Sequence, residues 1–136
     1  DMANFQGWLI KCGNTEFPLK YIKAETYKST DNQRTEIKAY RDANNLLHRQ
    51  TSKNYKTKIE FETCSLSLAE LSEIQALLSS NFIDSTQRKM VVSYWNNENL
   101  TYKKATVYVP DIDYTIKAIK GNDITYNGIR IAFIQY

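Results

Sequence analysis

Along most of this chain hydrophobic and polar residues alternate with a period of two, and one stretch alone switches to the helical period. Residues 56–63 show the alternation most plainly. Ile59 and Phe61 fall on one face and Lys58, Glu60 and Glu62 on the other, the pattern of a strand with one wet side. Residues 7–12 form a shorter strand candidate, followed by the turn chemistry of Gly13-Asn14-Thr15. After Pro18, residues 20–27 set Tyr21, Lys23 and Glu25 opposite Ile22, Ala24 and Thr26, which predicts a second strand. The helix begins at Ser67. Ser67-Leu68-Ala69-Glu70 is a capping box, and Leu68, Leu71, Ile74, Leu77, Leu78 and Phe82 recur at spacings of three and four. Asn81 and the cluster Asp84-Ser85-Thr86 end it.

Downstream the period of two returns. Residues 90–95, the turn Asn96-Asn97-Glu98-Asn99 and residues 101–109 predict one hairpin. Ile112, Tyr114, Ile116 and Ala118 alternate with Asp113, Thr115, Lys117 and Ile119 in a further strand that Gly121-Asn122-Asp123 closes. Residues 124–126, Asn127-Gly128 and residues 129–136 predict another hairpin, because Asn-Gly is the strongest short hairpin signal. The order is strands, one helix at about 67–82, then strands. Without βαβ alternation a parallel nucleotide-binding sheet is excluded. The expected fold is mainly β (α+β), an antiparallel sandwich or barrel flanked by a single helix.

At 136 residues the chain suits one domain, residues 1–136, with a core that needs no metal or disulfide staple. Ten Tyr, five Phe and two Trp against four Gly and two Pro argue against a disordered or linker-rich protein. Residues 2–10 have no basic leader or long apolar run, and no segment nears 18 consecutive apolar residues, so neither a signal peptide nor a membrane span is expected. Asp1, ahead of Met2, reads as an addition to a natural start at the methionine.

The formal net charge of +3 is mild, but it is unevenly spread. Residues 27–58 carry eight basic side chains (Lys28, Arg34, Lys38, Arg41, Arg49, Lys53, Lys56, Lys58) against Asp31, Glu36 and Asp42, a sum of 8 − 3 = +5. The remainder, ten basic and twelve acidic, sums to −2. Turn-like clusters at 31–33 and 41–45 bracket residues 35–40, so this basic region reads as a polar loop or extended hairpin, an arm at about 28–57. Tyr27, Tyr40 and Tyr55 interleave with its Lys and Arg. That composition suits stacking on bases and contact with phosphates, and equally suits an arm that docks on protein.

Candidate chemistry is sparse. Cys12 and Cys64 lack a CxxC partner, and the single His48 stands near neither, so a zinc site is not expected and each thiol reads as a small hydrophobe. His48 has no nucleophile motif beside it. Asp111 and Asp113 bracket Ile112 and could share one side of a strand, but two carboxylates without a third ligand hold a cation weakly, and Pro110-Asp111 reads as a turn. Glu60 and Glu62 share a solvent face beside Lys58. Trp95, Tyr94, Tyr102 and Tyr108 could line a glycan platform, although alternation turns half of them inward. Four scattered glycines form no phosphate loop. No catalytic, metal-ligating or cofactor-binding residue is assigned, and no cofactor is expected.

Several short stretches occur in a recurring order: Arg41-Asp42-Ala43-Asn44-Asn45-Leu46-Leu47-His48-Arg49, Lys58-Ile59-Glu60-Phe61, Leu66-Ser67-Leu68-Ala69-Glu70-Leu71, Val91-Val92-Ser93-Tyr94-Trp95-Asn96 and the strand at 105–109. Together they resemble small proteins encoded in the tail modules of prophages of Gram-positive bacteria. The resemblance covers residues 41–111, and its order of elements is similar to the tail-tube and distal-tail fold. Where that family often has Gly in the turn, this chain has Asn44-Asn45, and Asn tolerates left-handed geometry. The resemblance implies a structural protein rather than an enzyme. Its subunits would join into rings, commonly hexameric, and meet other tail proteins in the host cytoplasm and the virion tail. Their sheets would extend across subunits. It also implies that the arm residues Lys28, Arg34, Lys38, Arg41, His48, Arg49, Lys53 and Lys56 meet a neighbouring subunit. The alternative expectation is a small module that binds nucleic acid or glycan through the same arm or the aromatics.

Overall fold

A computed structural model describes residues 4–33, 36–51 and 56–136, with 31–33, 36–40 and 48–51 described through their backbone alone. The strands are β1 (Ile10–Cys12), β2 (Thr15–Glu16), β3 (Lys28–Gln33), β4 (Glu36–Arg41), β5 (Leu47–Thr51), β6 (Lys56–Glu62), β7 (Leu66–Ser67), β8 (Lys89–Asn96), β9 (Thr101–Tyr108), β10 (Ile116–Lys120), β11 (Asp123–Tyr126) and β12 (Arg130–Gln135). The single α-helix among the described residues is α1 (Leu68–Asn81). Every strand pairing is antiparallel. The fold is therefore the expected mainly-β arrangement with one helix, but the main sheet stays open and does not close into a barrel.

That sheet has seven strands in the order β2-β1-β8-β9-β12-β6-β3. A second sheet runs β10-β11-β7, and β4 and β5 make a third by themselves. In β6, Thr57, Ile59 and Phe61 point inward and are buried, as the alternation predicts. Phe61 meets Ile131 across the ladder and Ile59 meets Phe133, while Phe17 packs edge-on against Phe61 at 5.0 Å. The inner face receives α1 through Leu71, Ile74 and Leu78, and all three join one core with Ile10, Met90, Val92 and Val107. Helix entry follows the capping-box expectation. Glu70 N donates to Ser67 Oγ at 3.2 Å and Ser67 N donates to Glu70 Oε1 at 2.8 Å. Leu68, placed in the apolar stripe by spacing, is 44% exposed.

Two strand expectations fail for identifiable reasons. Residues 20–27 are not a strand but two 3-10 turns, Leu19–Tyr21 and Ala24–Thr26. Their bonds run three residues back, from Ile22 N to Leu19 O and from Tyr27 N to Ala24 O, and the neighbours Tyr21 and Ile22 are both buried, which alternation forbids. The hairpin predicted around Asn127-Gly128 is also absent: β11 pairs with β10 and β7, whereas β12 pairs with β6 and β9. Neither Asn127 nor Gly128 has positive φ, as a two-residue hairpin of this type would require. Gly128 is instead a crossing point where the chain passes from the small sheet to the large one against the backbone of Thr63. The strand predicted from Ile112 is shorter, with β10 starting at Ile116, and its hairpin to β11 turns at Gly121, φ +63.

Candidate interaction surfaces

The basic region is a hairpin with an unusual relation to the sheet. β3 and β6 pair with Lys28 opposite Glu60, and β4 and β5 pair with Arg41 opposite Leu47. From Lys28 to Arg41 is thirteen positions (41 − 28), and from Glu60 back to Leu47 is also thirteen (60 − 47). The two ladders therefore share one register. Irregularities fall between Thr30 and Gln33 and between Glu36 and Lys38, each adding one residue on the outgoing strand. β3 pairs with β6 at the edge of the main sheet, and the basic ribbon's hairpin, β4–β5, forms a sheet of its own. At about 3.4 Å per residue, Arg41 lies roughly 17 Å along the strand from Glu36.

The ribbon tip is held by its own bonds. Asp42 Oδ1 accepts from Asn44 N at 2.9 Å and from Leu46 N at 3.0 Å, Asn45 N donates to Asp42 O, and Arg41 Nη1 donates to Asn45 O at 3.1 Å. Asn45 takes φ 64, the left-handed geometry expected of Asn there. This order leaves Leu46 60% and Leu47 53% exposed side by side.

Of the eight arm residues, Lys28, Arg41 and Lys56 are exposed. Lys38, His48 and Arg49 occupy β4 and β5 opposite Gln50, Tyr40 and Ala39, and Arg34 and Lys53 lie outside the described residues, as does Tyr55. The described arm positions Lys28, Lys38, Arg41, His48, Arg49 and Lys56 are therefore spread over β3, β4, β5 and β6. Asp111 and Asp113 are exposed in the segment between β9 and β10. Glu60 accepts from Arg130 Nε at 2.7 Å and lies 3.8 Å from Lys58 Nζ, while Glu62 is exposed. No group of three or more His, Cys, Asp or Glu among the described residues is placed to hold a metal ion.

The four aromatic residues do not make one platform. Tyr94 is buried on the inner face, and Trp95 is buried under Phe5 and Tyr102 at ring distances of 5.2 and 5.1 Å. Tyr102 stacks on Trp8 at 4.0 Å, and Tyr108 packs against Tyr136 instead. Both cysteines are free. Burial pushes the Cys12 thiol from 9.0 up to about 12, which leaves it unreactive as a nucleophile at neutral pH. The Tyr21 phenol is also raised, from 10.0 to about 12, by its 2.7 Å hydrogen bond to Glu73 and then by burial.

Sequence reasoning missed two surfaces. One is the Leu46-Leu47 pair, whose signal was a doubled leucine directly after a turn cluster. The other is a groove of about 420 Å³ beside α1, between the helix face of Ser72, Ala76 and Ser79 and the rings of Phe82 and Tyr114. Its Arg88 is already engaged. Nε donates to Val109 O at 2.7 Å, and the guanidinium lies 5.2 Å from the Phe82 ring centre.

No helix among the described residues is long and apolar enough to cross a membrane. A family of unknown function, DUF6711, matches the chain over residues 2–136. No curated protein and no solved structure matches it.

Proposed function

Taking as premise that the chain belongs to the DUF6711 family, we propose that it is a non-enzymatic structural protein of a bacteriophage or prophage tail. In this reading it assembles with copies of itself and with other tail proteins through the basic ribbon and exposed strand edges. The observation that carries the reading is the ribbon. A β4–β5 hairpin that keeps the pairing offset of the edge strands β3 and β6, with its tip ordered by internal bonds and two leucines turned to solvent, is suited to engage a surface outside its own domain. The edge strand β10, exposed along all five residues, offers a second place for a neighbouring sheet to join. Charge on the ribbon sets the order and register of docking more than its strength.

The test follows from the register. Gln33 and Lys56 already face one another, so residues 34–55 can be replaced by a four-residue Asn-Gly turn without breaking the main sheet. In a host strain lacking its own copy, the shortened protein is expected to fold and to be missing from tails imaged by electron microscopy. Incorporation of the shortened protein would remove the ribbon's assembly role. DNA binding by the full chain with a steep dependence on log salt, lost in the shortened one, would instead favour the nucleic-acid reading.

A further inference from the structure

The ribbon tip and the α1 groove are complementary surfaces on one chain. The tip presents two adjacent leucines on a turn that is already ordered, so little freedom is lost when it docks. The groove offers small side chains on α1, which let a strand approach the helix closely, with Phe82 and Tyr114 as aromatic walls. Residues 27–58 sum to +5, while the only charged side chain in the groove lining, Arg88, is already turned onto Val109 O and the Phe82 ring. Exposed Asp111 and Asp113 lie on the segment that delivers Tyr114 to the groove.

We infer that the ribbon tip of one copy, Leu46 and Leu47 with Arg41, docks into the α1 groove of a second copy of this chain. The inference rests on the assembly reading and names its contact. Donor and acceptor are different patches, so every copy can give a tip and receive one. Such a contact is heterologous and builds rings or filaments rather than closed pairs.

Two full-length variants test it. Leu46→Ser with Leu47→Ser removes the tip's apolar surface, and Ala76→Arg fills the groove from an exposed helix position that suits Arg. Ser79→Arg repeats the block at a second exposed position should Ala76→Arg fail to fold. By analytical ultracentrifugation the wild type is expected to grow in mass with concentration. Each variant should remain monomeric where the wild type assembles, its association weakened roughly a hundred-fold, with an unchanged thermal midpoint. An equimolar mixture of tip and groove variants retains one intact tip and one intact groove, and should form dimers that grow no further. Monomers in that mixture, wild-type-like assembly by either variant, or a wild type that stays monomeric would each overturn the docking. None of those outcomes decides whether replacing residues 34–55 abolishes incorporation into tails, so the two readings fail separately.

Discussion

At position 128 the chain runs so close to Thr63 that a Cβ would sit 2.0 Å from that residue's carbonyl oxygen, and the obstacle is backbone. The same carbonyl region is fixed from both sides: Thr63 N donates to Ile129 O at 2.9 Å, and Ile129 N donates to Thr63 Oγ1 at 3.0 Å. Gly128→Ala is therefore expected to cost about 3 kcal/mol or more, read from urea unfolding, because neither strand can shift without breaking those bonds. A loss under about 1 kcal/mol would show that the crossing has room to relax. Cys12 and Tyr21 make a prediction in pH. Both hold their proton more tightly in the folded chain, so their contribution is intact below pH 9. It is lost as pH rises toward 12, from 9 onward for Cys12 and from 10 onward for Tyr21. The urea midpoint should fall across that window, and Cys12→Ala should make the fall shallower. An equal fall in the variant would remove the thiol as a source.

Among the elements, α1 depends on its first turn. Ser67→Ala deletes the acceptor for Glu70 N and keeps the backbone N–H that donates to Glu70 Oε1, for an expected loss of about 1 kcal/mol. Ser67→Asp, which restores an acceptor, should recover most of it in the same thermal or urea measurement. This cap was legible because its signal spans four residues, and β6 was legible because its alternation is clean. Residues 20–27 misled because a run of eight can alternate by composition while Pro18 and the burial of both Tyr21 and Ile22 demand turns. Asn127-Gly128 misled for a different reason. Its glycine answers to Thr63, 65 positions away (128 − 63), and no local pattern carries that information. The arm follows the same division. Its charge and the turn at 41–45 could be read directly, whereas the shared register of β3–β6 and the groove beside α1 come from pairings between distant segments.

For the molecule as a whole, the mild net charge divides between a ribbon and a body of opposite sign. Because the main sheet is complete at Gln33 and Lys56, replacing residues 34–55 should leave the urea midpoint almost unchanged while removing the ribbon's contacts. A large drop in the midpoint would mean that the ribbon supports the body it leaves. The strand order has a further consequence, in time rather than in space. β12 is synthesised after every other strand described, yet it lies between β9 and β6 and is the strand through which the half-sheet β2-β1-β8-β9 is laddered to the pair β6-β3. Until it arrives, the facing edges of β9 and β6 have no partner, and the inner residues that Ile131 and Phe133 will cover remain open. Completion of the main sheet therefore waits on the last-made strand, and during that interval the nascent chain is most exposed to pairing with the wrong strand.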